Sequence, residues 1–406
     1  MTHRKDIILL FATRIIRMFF YGSLAVILVL YLIEAGLSEK QVGLLFTLTL
    51  IGDAGISLWL TTHADRFGRK RTLLIGALLM LGAGLVFVLT KNLFILTFAA
   101  IIGVISPNDK EIGPFLAVEQ AGLTQLVSDR SRTRLFAWYN LGGSFSSAFG
   151  ALGSGWLAQY FLSNGWTAFE SYRFILIGYA LGGFILAIMF LSISPAIEAA
   201  QTQNHDKKVL GLHRSRNVVF KLSALFSLDA FAGGLIIQSF MAYWFHAKFG
   251  VDTGVLGSIF FGANILAGVS ALLAVKLAEK IGLINTMVFT HIPSNILLML
   301  VPLMPTLPLA IGVLLLRFSI SQMDVPTRQS YTVAVVAPDE RSAAAGVTAI
   351  ARSVGSALSP SLTGLFFSIP FLFSAPFFFS GGMKIVYDLL LFREFRSVKP
   401  PEETHG

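Results

Sequence analysis

The sequence predicts an all-α integral membrane protein, with twelve transmembrane helices arranged as two pseudo-symmetric six-helix bundles. Three observations predict it. Of 406 residues, 55% are hydrophobic and only 13% charged, about half the charge of a soluble domain and too little polar surface to coat a globule. Apolar runs long enough to cross ~30 Å of hydrocarbon recur along the chain. A bilayer satisfies no stray backbone group, so such runs must be helices. The two halves also repeat. "GLSEKQVGLL" from Gly36 aligns with "GVDTGVLGSI" from Gly250, and the same offset of 214 carries "ADRFGRKRT" from Ala64 onto "AEKIGLINT" from Ala278. At an offset of 210, "LVSDRSRT" around Asp129 corresponds to "VAPDERSA" around Asp339.

The runs fall at about 7–33, 40–62, 72–90, 93–127, 135–162, 172–194, 217–246, 252–277, 285–304, 308–336, 343–370 and 373–392. The start, "MTHRKD" and a long apolar stretch, has no small-residue cleavage site and reads as the first span. One long polar connection divides the spans six and six. The expected domains are an N-terminal bundle over 1–196, a central loop over 197–216, and a C-terminal bundle over 217–406 with a short tail.

Lys and Arg set the orientation. With the N-terminus inside, twenty basic residues fall in inner connections and four in outer ones (Lys40, Lys91, Arg173 and Lys248). Both termini and the central loop are therefore expected in the cytoplasm, in a plasma or inner membrane. The same bias accounts for the net charge of +9 without nucleic acid as a partner. There is no Cys, which excludes disulfides and thiolate sites. No HExxH or GxSxG occurs, and His3, His63, His205, His213, His246, His291 and His405 are too scattered for a metal cage. Neither an enzyme nor a cofactor is expected.

Seven basic residues remain within spans: Arg14, Arg17, Lys110, Arg317, Arg328, Arg352 and Lys384. Seven acids join them: Asp53, Asp109, Glu111, Glu119, Asp229, Asp324 and Asp388. Each costs ~2.5–3.5 kcal/mol at a helix centre, so they must pair or face water. Span four would run ~50 Å as a straight helix, well beyond the hydrocarbon. Pro107 and Pro114 bracket "NDKEIG", so a break is expected there, lining protein or a wet cavity. Span one places Arg14, Arg17 and Tyr21 on one helical face, and span ten does so for Arg317, Asp324 and Arg328. Lys384 and Asp388, spaced i, i+4, read as a structural pair, and Arg352 as a structural residue.

The most specific local signal is "HADRFGRKR" between spans two and three. With it, the chain resembles the major facilitator superfamily over essentially its full length: twelve spans, a polar central connection, and the family's loop core at Asp65, Arg66, Gly68, Arg69, Lys70 and Arg71. A degenerate copy stands at Glu279, Lys280 and Gly282. Thr61 and His63 depart from the motif, which usually has Gly and an apolar residue there. The resemblance implies the major facilitator fold, with Asp65 as a gating latch to Arg130, Arg132 or Arg134 at the end of span four. It also implies that spans one, four, seven and ten line a central cavity. The expected substrate-binding and cavity residues are then Arg17, Tyr21, Asp109, Lys110, Glu111, Asp229, Arg317, Asp324 and Arg328.

The function so implied is secondary active transport of a small organic solute by alternating access. Protons are the expected coupling ion, since a carboxylate whose ionic partner changes can take up and release one. Asp53, Asp109, Glu111, Asp229 and Asp324 are the candidates. The glycines of "LGGSFSSAFGALGSGWLA" resemble the family's antiporter motif, without its Pro, and favour export of a drug or metabolite; they are equally readable as close helix packing. The alternative is an organic-anion transporter using Arg17, Lys110 and Arg317, and a lesser one a transporter-like sensor. A monomer is expected, with lipid, solute and protons as its partners.

Overall fold

A computed structural model describes residues 2–108, 111–127, 129–198, 212–337 and 340–398. The first half comprises α1 (Thr2–Glu34), α2 (Glu39–Phe67), α3 (Arg69–Leu89), α4 (Leu93–Ile102), α5 (Phe115–Leu126), α6 (Asp129–Ser163) and α7 (Ala168–Leu191). The second comprises α8 (Arg216–Gly234), α9 (Gln238–Phe249), α10 (Thr253–Ile281), α11 (Leu283–Leu300), α12 (Leu307–Phe318), α13 (Asp324–Ala334), α14 (Arg341–Leu358), α15 (Pro360–Phe367) and α16 (Ala375–Phe395).

Every apolar run of the sequence is helical, and four of the runs are broken. Span four splits into α4 and α5 around the Pro107–Pro114 segment. Span seven splits into α8 and α9 just after Gly233 and Gly234, span ten into α12 and α13, and span eleven at Pro360. Among the described residues, eight helical stretches are long and apolar enough to cross a bilayer; α4 and α12 are shorter apolar halves. Large apolar side chains such as Phe94 and Phe98 stand 83% and 66% exposed, the surface a lipid-facing helix presents. The molecule is a multi-pass membrane protein.

Helix ends follow local chemistry. α2 and α7 each open with a capping box, Ser38 with Gln41 and Thr167 with Glu170. The turns after α2 and α10 each need a residue in the left-handed region, and both use glycine: Gly68 (φ 94°) and Gly282 (φ 85°), 214 positions apart. The internal repeat thus reappears as backbone conformation.

The contacts divide the chain into two compact units, Met1–Gln203 with Ile237–Phe261, and Asn204–Ile236 with Gly262–Gly406. In the first, α1 packs on α6 and α3 on α7; in the second, α8 packs on α14 and α11 on α16. These are the same pairings under the repeat. Small residues make them possible. A Cβ on Gly150 of α6 would sit 1.9 Å from the Phe19 carbonyl oxygen on α1, and one on Gly355 of α14 would sit 2.3 Å from that of Ser227 on α8.

Candidate functional site

Each unit buries a polar cluster, and the two differ in charge. In the first unit, α1 supplies Thr13, Arg14 and Arg17 on one face. Arg17 is fully buried; its Nε donates to Glu111 Oε1 at 2.7 Å, its Nη1 to Glu119 Oε1 at 3.0 Å and its Nη2 to Glu119 Oε2 at 2.7 Å. Arg14 pairs with the other oxygen of Glu111 at 2.8 Å and stacks 4.2 Å above the Tyr139 ring. Glu119 also accepts from Thr13 Oγ1 at 2.9 Å and from the Tyr139 hydroxyl. Two guanidinium groups and two carboxylates therefore neutralise one another, with most lone pairs occupied, as buried ions require.

The break in span four supplies Glu111, and Asp53 of α2 holds that break in place. Its Oδ1 accepts the Gly113 N–H at 2.7 Å and the Ser57 hydroxyl at 2.9 Å. Gly113 has φ +78°, so the chain reverses where a side chain would strain it. Tyr21 directs its hydroxyl at the Ile112 carbonyl from 3.5 Å and lies against Tyr179. Asp109 and Lys110 lie outside the described residues.

The second unit is organised around Asp229 of α8, which is 2% exposed. Oδ1 accepts from Lys384 Nζ of α16 at 2.6 Å, and Oδ2 from Arg352 Nη1 of α14 at 2.9 Å and from Arg328 Nη1 of α13 at 3.3 Å. Arg328 also donates to Asp324 one turn earlier, at 2.6 Å. His291 of α11 meets Asp388 through Nδ1, at 2.9 and 3.1 Å from the two carboxylate oxygens. Arg317 lies 4.9 Å above the Phe318 ring; its buried Nε has no hydrogen-bond partner among the described residues. Counting formal charges, Arg317, Arg328, Arg352 and Lys384 outnumber Asp229, Asp324 and Asp388 by one.

The i, i+4 pairing expected of Lys384 and Asp388 is thus replaced by tertiary partners, Asp229 for the lysine and His291 for the aspartate. Arg352 likewise reaches Asp229 and keeps 29% of its side chain exposed. Sequence spacing sees one helix at a time, whereas these partners come from α8 and α11. Arg352, Lys384, His291 and Asp388, which the sequence reading set outside the cavity residues, join Asp229 in one polar cluster. Their signal was the same as that of the chosen ones, a charge or imidazole inside an apolar run.

In the loop between spans two and three, Arg69 is the buried anchor and Asp65, Arg66 and Arg71 are exposed. Arg69 Nε donates to Asp65 at 2.9 Å, and its Nη1 to the carbonyls of Ala121 and Ile197 at 3.1 and 3.0 Å. Lys70 Nζ donates to the carbonyls of Leu191 and Ile193, each at 2.8 Å. The side chains of Arg130, Arg132 and Arg134 lie outside the described residues. Glu198, which no local pattern marks, accepts the Arg69 and Lys70 N–H groups at 2.6 and 3.2 Å and so caps α3. Glu340 plays the same part ahead of α8. It accepts the N–H groups of Arg214 and Ser215 at 2.7 and 2.8 Å and that of His213. Hydrogen bonding, foremost to Ser215, lowers its carboxyl from 4.5 to about 2.

The family model described as the Major Facilitator Superfamily matches residues 10–360. The chain is 29% identical, over 418 aligned positions, to the uncharacterized membrane protein YJR124C of Saccharomyces cerevisiae, covering 95% of this chain and 93% of that one. Among solved structures, a mutant of the nucleoside transporter NupG is similar with a TM-score of 0.78 at 16% identity, over 96% of this chain and 99% of that one. A bacterial homolog to the human lysosomal transporter Spinster, inward-facing and occupied, gives 0.74 at 16% identity over 97% of each chain. At such identities the solved structures share the fold alone.

Proposed function

Since the chain belongs to the major facilitator superfamily, and is thus a membrane transporter of that fold, we propose that it carries a small organic anion by alternating access, coupled to protons. The observation that carries this reading is the coordination of Asp229. Three cations from three helices converge on one internal carboxylate, and Arg317 has a buried Nε with no hydrogen-bond partner among the described residues. A carboxylate or phosphate of a substrate presents the same acceptor geometry and would take the same charge-assisted bonds. Asp229 then acts as the resident counter-ion, holding the cations ready in the absence of substrate and yielding part of them in its presence. The first unit, whose Arg14 and Arg17 are committed to Glu111 and Glu119, would serve as the stiff partner.

The second reading is export of a drug or metabolite by proton antiport, which the glycines of span five favour. Gly150 supports it less than it supports helix contact, because its missing Cβ is what admits the Phe19 carbonyl. In either reading we place the protein as a monomer in a plasma or inner membrane with both termini cytoplasmic, and assign Asp65, with Arg69, to gating.

Counterflow in proteoliposomes with panels of organic anions and organic cations tests the choice. The anion reading expects exchange of anions, lost in Arg352→Gln. Exchange of cations with no anion carried, or anion exchange indifferent to Arg352→Gln and Arg328→Gln, refutes it.

A further inference from the structure

The geometry points to His291, held by Asp388, as the proton-binding site that sets the affinity of the Asp229 cluster for an anion; this rests on the anion reading above. His291 is 5% exposed and sits between two carboxylates on different helices. Asp388 accepts from Nδ1 at 2.9 Å, and Asp229 Oδ1 lies 3.9 Å from Nε2. With Asp388 ionised, its carboxylate only accepts and Nδ1 carries the hydrogen. In the neutral ring, Nε2 is then left with a lone pair aimed at a second acceptor, and no hydrogen bond spans that gap. A proton arriving from water adds to this lone pair. No bond in the protein breaks, the ring gains one positive charge, and the imidazolium faces Asp229 Oδ1 as an ion-pair partner 3.9 Å away.

That oxygen is the one Lys384 holds at 2.6 Å. Protonated His291 therefore shares the negative charge of that carboxylate with Lys384 and loosens its hold on the ammonium, which is then available to an incoming anion. Asp388 and Tyr387 of α16 and Asp229 of α8 face the imidazole, and Lys384 of α16 and Arg328 of α13 reach it through Asp229, with Asp324 paired to Arg328. Arg352 of α14 reaches it through Asp229, and Arg317 is the charged group of α12. With His291 neutral, the formal balance of this set is one positive charge; with it protonated, two. Both effects act in one direction, so proton and anion bind together, and by linkage each strengthens the other. The predicted coupling is proton–anion symport. Tyr387 meets the ring edge-on at 6.1 Å and, with Asp388, fixes its plane.

The test uses the full chain, purified and monodisperse by gel filtration, with benzoate and succinate as probes and affinity read from ligand-induced thermal shifts at about pH 5.5 and 8, either side of where an imidazole charges. Wild type is expected to bind a probe about tenfold more tightly at the lower pH, equivalent to about 1.4 kcal/mol. His291→Gln and His291→Asn, two amides of different reach, should bind equally at both, and Asp388→Asn should flatten the dependence. Wild-type affinity independent of pH, or a tenfold ratio surviving in both His291 variants, overturns the inference while leaving the anion reading intact. If wild type binds neither probe, the anion reading is what fails. The proton site is then read from the ¹⁵N shifts of His291 in labelled protein: a change of charge state across that range sustains it, and an unchanged charge state overturns it.

Discussion

Replacing Asp229 by Asn removes one negative charge and almost no volume. In the wild type that charge faces Lys384, Arg352 and Arg328 at 2.6, 2.9 and 3.3 Å. Removing one partner of a buried pair typically costs about 3–5 kcal/mol, because the other charge stays buried without compensation. Here the remaining cations can lean on Asp324 and, for Arg352, on its exposed side, so the lower half of that range is expected. For a unit of this size each kcal/mol moves the melting point by about 2–4 °C. Asp229→Asn should therefore melt roughly 6–16 °C below wild type in a fluorescence or gel-filtration thermal assay. Formate or acetate at millimolar concentration should recover part of the loss, by supplying the missing carboxylate to the same cations, and chloride-matched controls should not. A variant as stable as wild type would mean that Asp229 does not neutralise its neighbours. A destabilised variant indifferent to added carboxylates would mean that the cluster is no anion site.

In the first unit, Arg17→Gln leaves Glu111 and Glu119 facing each other and is expected to destabilise the protein by about 3–5 kcal/mol, seen as lower thermal stability without rescue by anions. Gly150→Ala should cost about 1–3 kcal/mol, since the new methyl would overlap the Phe19 carbonyl. Gly82→Ala on α3, where a Cβ meets nothing within 4 Å, should be neutral or stabilising by about 0.4–1 kcal/mol. Glu340 has its carboxyl lowered from 4.5 to about 2. Its contribution is therefore complete above about pH 4.5 and fades as pH falls toward 2. Glu340→Gln should lower stability near neutral pH and flatten its decline in acid, as followed by thermal melts across that window.

The fold was legible because its signals are one-dimensional. Apolar length marks each span, and the offset of 214 marks the repeat, down to the paired left-handed turns at Gly68 and Gly282. Pro107 and Pro114 announced the break in span four, and Pro360 sits at the one in span eleven. The break after Phe318 has no such mark: Pro326 lies in the first turn of α13, where a missing N–H goes unneeded. In the clusters, sequence could name which residues are charged within spans, but not their partners. Arg17 meets acids 94 and 102 positions away, and Asp229 a lysine 155 positions away. Such partners are chosen by how helices pack, and helix packing is written in small residues such as Gly150 and Gly355 rather than in the charges. Glu198 and Glu340 were overlooked for a related reason, since each caps a helix start more than 120 positions away.

The most direct measurement loads proteoliposomes with a pH-sensitive dye and records internal pH when an organic anion is added outside. The account predicts internal acidification that saturates with the anion, disappears in Arg352→Gln, and is absent with organic cations. Alkalinisation, or acidification of equal size in wild type and Arg352→Gln, would contradict it.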